Sequence, residues 1–101
     1  MKDKELPSKF TLGAVEWSIV IDNEKMDDQS AYGTSDYCKA QIIIQTKSNK
    51  HRRPKLAVEQ TLYHEVTHAI LDTMREYELS NNEKFVQNFS LLMHQYEVTK
   101  K

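Results

Sequence analysis

The chain predicts an α+β domain: an antiparallel sheet of about three strands, then a central helix, then a C-terminal helix. Three observations predict it. Residues 10–46 hold short β-branched and aromatic runs separated by turn residues, the pattern of strands. Residues 55–78 contain neither Gly nor Pro and repeat apolar side chains at helical spacing. Residues 82–98 carry a second apolar stripe at that spacing. A chain of 101 residues is enough for one domain with one modest core.

Residues 1–9 are charged, carry Pro7 and read as a flexible tail, so the folded domain spans residues 10–101. Residues 10–12 form a short lead-in strand, and Gly13 breaks it from a longer one over residues 15–22. Alternation puts Val15, Trp17, Ile19 and Ile21 on the core face. Residues 23–30 are acidic and polar, a loop or one weak helical turn. A second strand falls within residues 31–38, with a bulge at Gly33. A third covers residues 41–46, and its Ile42-Ile43-Ile44 run is buried on both sides. The two form a hairpin turning near Lys39 and Ala40.

Residues 47–55 are a basic loop containing Lys47, Lys50, His51, Arg52, Arg53 and Lys55. Without interleaved aromatic residues for base stacking, it reads as a solvated connection rather than a nucleic-acid contact. Pro54 suits the first turn of a helix that runs to about Arg75. Val58, Leu62, Val66, Ala69, Ile70 and Thr73 fall on its packed side. Ala57, Thr61, His64, His68 and Leu71 fall on the opposite side, facing a cleft. Residues 76–81 are a connection. The last helix covers about residues 82–98, with Phe85, Phe89, Leu92, Met93 and Tyr96 as its apolar stripe.

The central helix carries the chemistry. His64-Glu65-Val66-Thr67-His68 is the pattern H-E-x-x-H. Histidines at i and i+4 stand one above the other on a helical face, so both imidazoles can reach one ion. Neutral imidazole is a good zinc ligand, and a tetrahedral zinc leaves room for a third protein ligand and a water. Glu65 is swung about a quarter turn round the helix, toward the water rather than the metal. Metal to acidify the water and a carboxylate to take its proton are the parts of a zinc hydrolase.

Candidates for the third ligand are Asp72, Glu76, Glu78, Glu83, His94 and Glu97. Asp72 is better placed to hydrogen-bond a ligand than to be one. Glu83 opens the last helix, and an antiparallel return would carry it over the histidine face. Ser80-Asn81-Asn82-Glu83 also matches a capping box, in which Glu83 would bond its own helix terminus. On spacing alone both roles for Glu83 stay open.

His64-Glu65-Val66-Thr67-His68-Ala69-Ile70-Leu71-Asp72, followed by Asn82-Glu83 and Phe89, resembles the gluzincin class of zinc peptidases, of which thermolysin is the familiar member. Tyr32-Gly33-Thr34-Ser35-Asp36-Tyr37, Gln41-Ile42-Ile43-Ile44 and Asn82-Glu83-Lys84-Phe85-Val86 narrow the likeness. They resemble short bacterial and phage proteins described as ImmA/IrrE-like or SprT-like metallopeptidases, similar to the minigluzincins. The likeness covers roughly residues 15–96. It implies a zincin-like fold, His64, His68 and Glu83 as zinc ligands, and Glu65 as general base. It also implies peptide-bond hydrolysis on an extended peptide or a regulatory protein. Where thermolysin-like enzymes carry an acid one turn after the third ligand, this chain has Gln87. No residue for the oxyanion is evident, and Tyr37, Tyr63, Tyr77 and His94 are the candidates.

Composition excludes some classes. A net charge of −1 gives no global pull toward nucleic acid or anionic membrane. The single Cys38 cannot form an internal disulfide and fits a reducing compartment. No apolar leader or spanning run is visible, so a cytoplasmic setting is expected. The alternative functions are a non-catalytic zinc-containing module that engages a partner protein, and a metal-free domain acting through its basic loop.

Overall fold

Residues 6–101 are described in a computed structural model. β1 (Lys9–Leu12) and β2 (Val15–Ile21) form an antiparallel hairpin closed by Gly13 and Ala14. Both turn residues have positive φ, which matches the twist of a two-residue hairpin. Of the tail expected over residues 1–9, residues 1–5 lie outside the described residues. Leu6 packs against the core, the Ser8 carbonyl accepts from the Ile19 N–H, and Lys9 opens β1. From β2 the chain enters α1 (Asn23–Asp28), where a loop or weak turn was expected. Asp22 caps it by accepting from the Lys25 N–H, and Met26 buries it.

β3 (Gly33–Asp36) and β4 (Gln41–Ile44) make the expected hairpin, each shorter than its sequence run. The sheet order is β1-β2-β4-β3, and β2 pairs with β4 in parallel, from Ser18 opposite Gln41 to Ile21 opposite Ile44. The expectation of a three-stranded antiparallel sheet is therefore corrected to a four-stranded mixed one. The physical reason is the crossover: α1 and β3 carry the chain past the β4 position before β4 inserts beside β2. A strand with neighbours on both edges and cover on both faces reads as a continuous apolar run, as Ile42, Ile43 and Ile44 do.

A small second hairpin, β5 (Lys47–Ser48) with β6 (His51–Arg52), replaces the basic loop. Asn49 and Lys50 turn it with positive φ. α2 (Lys55–Thr73) follows, with Pro54 as its N-cap. Val58, Leu62 and Ala69 seal one side of α2 against Trp17, Ile42 and Ile44, and Val66 packs beside them. Two residues on α2 depart from expectation. Ile70 is exposed, and Leu71 is buried.

α2 ends abruptly. Arg75 adopts φ +63; its N–H bonds the Asp72 carbonyl at 3.0 Å, and the Glu76 N–H bonds the Leu71 carbonyl at 2.8 Å. This pair of bonds reverses the chain at a helix end. It leads into α3 (Tyr77–Ser80), a short helix where a plain connection was expected, and then α4 (Glu83–Thr99), which returns antiparallel along α2.

The apolar stripe of α4 has the expected spacing but faces outward. Phe89, Leu92, Met93 and Tyr96 are exposed, whereas Val86, Ser90 and His94 are buried against α2. The inward face is chosen by specific polar ties: His94 Nε2 meets Glu59 Oε1 at 2.9 Å, and Glu83 and Gln87 meet the α2 histidines. The small Ser90 between them allows close approach. Among the described residues no helix is long and apolar enough to cross a membrane.

Candidate metal centre

α2 sets His64 and His68 one turn apart, with ring centroids 5.0 Å from each other. Each ring is braced on its Nδ1 side. His64 Nδ1 lies 2.9 Å from Gln87 Oε1, and His68 Nδ1 lies 3.0 Å from Ser80 Oγ. An amide oxygen only accepts, so His64 donates from Nδ1, and that bond turns its Nε2 toward the cleft. Bracing one ring nitrogen to orient the other is the usual support of a ligating histidine.

Both Nε2 atoms point at one carboxylate. Glu83 Oε2 stands 3.2 Å from His64 Nε2, and Glu83 Oε1 stands 3.1 Å from His68 Nε2. One donor atom from each of the three residues lies within 4.8 Å of the others. Ligands at about 2.0–2.1 Å from a tetrahedral zinc are separated by about 3.3 Å along each edge. The two histidine–carboxylate distances are close to that edge, so these donor types could hold a divalent ion. Glu83 is free for this because Asn82 does the capping, its Oδ1 accepting from the Phe85 N–H at 3.1 Å. The capping box does not form.

The other ligand candidates fall elsewhere. Glu76 and Glu78 are exposed around the helix reversal, His94 is tied to Glu59, and Glu97 pairs with Lys100. Asp72 borders the same cleft, but Ser80 takes the bracing role expected of it.

Glu65 follows His64 and is buried, only 8% exposed. Burial, reinforced by the nearby Glu83 charge, raises its pKa to about 7. It borders two adjoining cavities. One, of about 460 Å³, contains His64, His68, Glu83 and the β3 residues Gly33–Ser35. The other, of about 420 Å³, contains His64, Gln87, Thr61, Tyr32 and Arg53. Gly33 lets β3 approach: a Cβ there would meet Thr61 Cγ2 at 2.8 Å and Glu65 Cγ at 3.1 Å. The Ser35 hydroxyl, on the same strand edge, is buried with no hydrogen-bond partner among the described residues.

None of the four oxyanion candidates borders either cavity. Tyr37 leans on Trp17, Tyr63 packs edge-on to His94, and Tyr77 is exposed. Sequence reasoning missed Arg53 and Gly33 as cleft residues, and Ser80 as a histidine brace. Gly33, one of two glycines in the chain, was the only one of the three with a usable signal. No protein family, curated protein or solved structure matches the chain.

Proposed function

We propose that the chain is a minimal zincin-like metallopeptidase that hydrolyses peptide bonds in extended peptide or protein segments. The observation that carries this is the convergence of His64 Nε2, His68 Nε2 and the Glu83 carboxylate, each histidine braced from behind. His64, His68 and Glu83 would hold zinc, which when bound supplies a Lewis acid that acidifies water and polarises a carbonyl.

The chain's own groups then do the rest. Glu65, buried beside the donors, takes a proton from the attacking water and returns it to the leaving amine. In the metal-free protein burial raises its pKa to about 7, and a bound cation would draw the group back toward the ionised form that accepts the proton. Among the described residues β3 pairs only with β4, and its residues border the histidine cleft. An extended peptide added along the other edge of β3 would lie across Glu65.

The alternative, a non-catalytic zinc module that engages a partner, draws on the exposed Phe89, Leu92, Met93 and Tyr96 of α4. A fourth protein ligand in place of water would favour it, but Cys38, the one thiol of the chain, is exposed and borders neither cavity. The deciding experiment measures metal content and peptide cleavage on the same samples of wild type, Glu83→Ala and Glu65→Gln. Glu83→Ala should lose zinc. Glu65→Gln should keep zinc and lose hydrolysis by ~10²-fold or more. Equal turnover in zinc-loaded Glu65→Gln would reject the mechanism.

A further inference from the structure

The cavity of about 420 Å³ beside Glu65 contains a cation that the hydrolytic chemistry does not use. Arg53 leaves the basic hairpin and turns inward. Its Nη1 donates to the Gln45 carbonyl at 2.6 Å, and its Nη2 donates to Thr61 Oγ1 at 2.8 Å and to the Ala57 carbonyl at 3.3 Å. Tyr32 lies under the guanidinium at 4.2 Å.

These partners are all uncharged. Among the described residues no carboxylate lies within ion-pair distance of Arg53, unlike the buried His94, which has Glu59. A guanidinium has five N–H donors, and the contacts above use three, leaving two. The three neutral ties fix the group in place, so it is pre-organised rather than swinging in solvent. Burial also lowers its pKa, a cost that a neighbouring anion would offset.

We propose that Arg53 is the specificity-determining residue of the cleft and anchors a carboxylate of the substrate, either an acidic side chain or a free C-terminus. The remaining walls suit such a group. Ala57 and the Thr61 methyl give apolar contact to its stem, and Gln60 and Gln87 give neutral polar cover. The inference rests on the peptidase reading for what the carboxylate belongs to, but not for the carboxylate site itself.

The test is binding, followed by nitrogen-15 NMR at the Gly33 amide and the Arg53 side chain. The probes are N-acetyl-glutamate amide, its glutamine counterpart, and N-acetyl-alanine with a free carboxylate. At least one carboxylate probe should bind about tenfold tighter than the glutamine amide, the scale of one charge-assisted hydrogen bond. Which of the two binds identifies the source of the carboxylate.

Arg53→Gln should abolish the preference. Because Arg53 also ties Gln45, just past β4, to Ala57 and Thr61 of α2, that variant can fail to fold. Gln60→Glu leaves Arg53 in place, puts a carboxylate into the same cavity, and should equally abolish the preference. Equal binding of all three probes to the wild type, or a preference that survives Gln60→Glu, overturns the proposal. Cleavage is measured separately on the wild type. Carboxylate binding without cleavage leaves Arg53 standing and removes the peptidase reading; cleavage without carboxylate preference does the reverse.

Discussion

Gly33→Ala is the sharpest probe of how the cleft is built. The backbone at Gly33 is not left-handed, so the change carries no dihedral penalty, and only space is at issue. The added Cβ would sit 2.8 Å from Thr61 Cγ2, 3.1 Å from Glu65 Cγ and 3.2 Å from the Ile43 carbonyl oxygen. The last is backbone in the central strand and cannot yield, so α2 must move away. Overpacking of this kind costs about 1–3 kcal/mol. At about 2.1 cal/mol/K per residue over 101 residues, that lowers Tm by about 5–14 °C.

Thr61→Ser removes the nearest methyl. It keeps the hydroxyl that accepts from Arg53 and donates to the Ala57 carbonyl. In the double variant the loss should therefore be less than additive, by about 1 kcal/mol or more, beyond the ~0.3–0.5 kcal/mol scatter of independent sites. The assay is thermal and urea unfolding of the four proteins of the cycle. A Gly33→Ala protein melting with the wild type, or strictly additive losses, would refute the close approach of β3 to α2.

Other outcomes follow from the same geometry. Ser80→Ala and Gln87→Leu should each weaken zinc binding about 10–100-fold, read by competition with a chromophoric chelator; unchanged affinity would remove their bracing role. Glu59→Ala or His94→Ala should cost about 3 kcal/mol in urea unfolding, because each strands a buried partner. In metal-free protein the raised pKa of Glu65 means that the folded state holds this proton more tightly than the unfolded state. Stability should then fall as pH rises from about 4.5 through about 7. Glu65→Gln removes that dependence, so the variant should match wild type at pH 4 and exceed it at pH 8 by on the order of 3 kcal/mol. Parallel pH–stability curves for the two would contradict it.

Much of the candidate site's geometry was legible because its signals are local. His64, Glu65 and His68 lie within two turns of one helix, where spacing translates directly into geometry. Glu83 was ambiguous, since ligand and cap ask the same residue to stand at the same helix start. Asn82, one residue earlier, takes the capping role by accepting the Phe85 N–H, which leaves the Glu83 carboxylate facing the two histidines. The parallel pairing of β2 with β4 was not legible as topology, although the triple isoleucine already announced a strand covered on both faces. The outward face of α4 was misjudged for a different reason. Periodicity finds a stripe but not its direction, and here hydrogen bonds to His64 and Glu59 outweighed the aromatic residues in setting the rotation. Arg53 gave no warning, because a cation in a basic run looks solvated until the chain around it closes.

The three candidate donors, both braces and the proposed base all lie between residues 64 and 87, on a hairpin of helices turned by Arg75 and Glu76. The sheet contributes a rim to this machinery and no donor atom. Loop grafts at the Gly13–Ala14 tip should thus leave the convergence of His64, His68 and Glu83 intact, whereas lengthening the short passage between α2 and α4 would pull those three side chains apart.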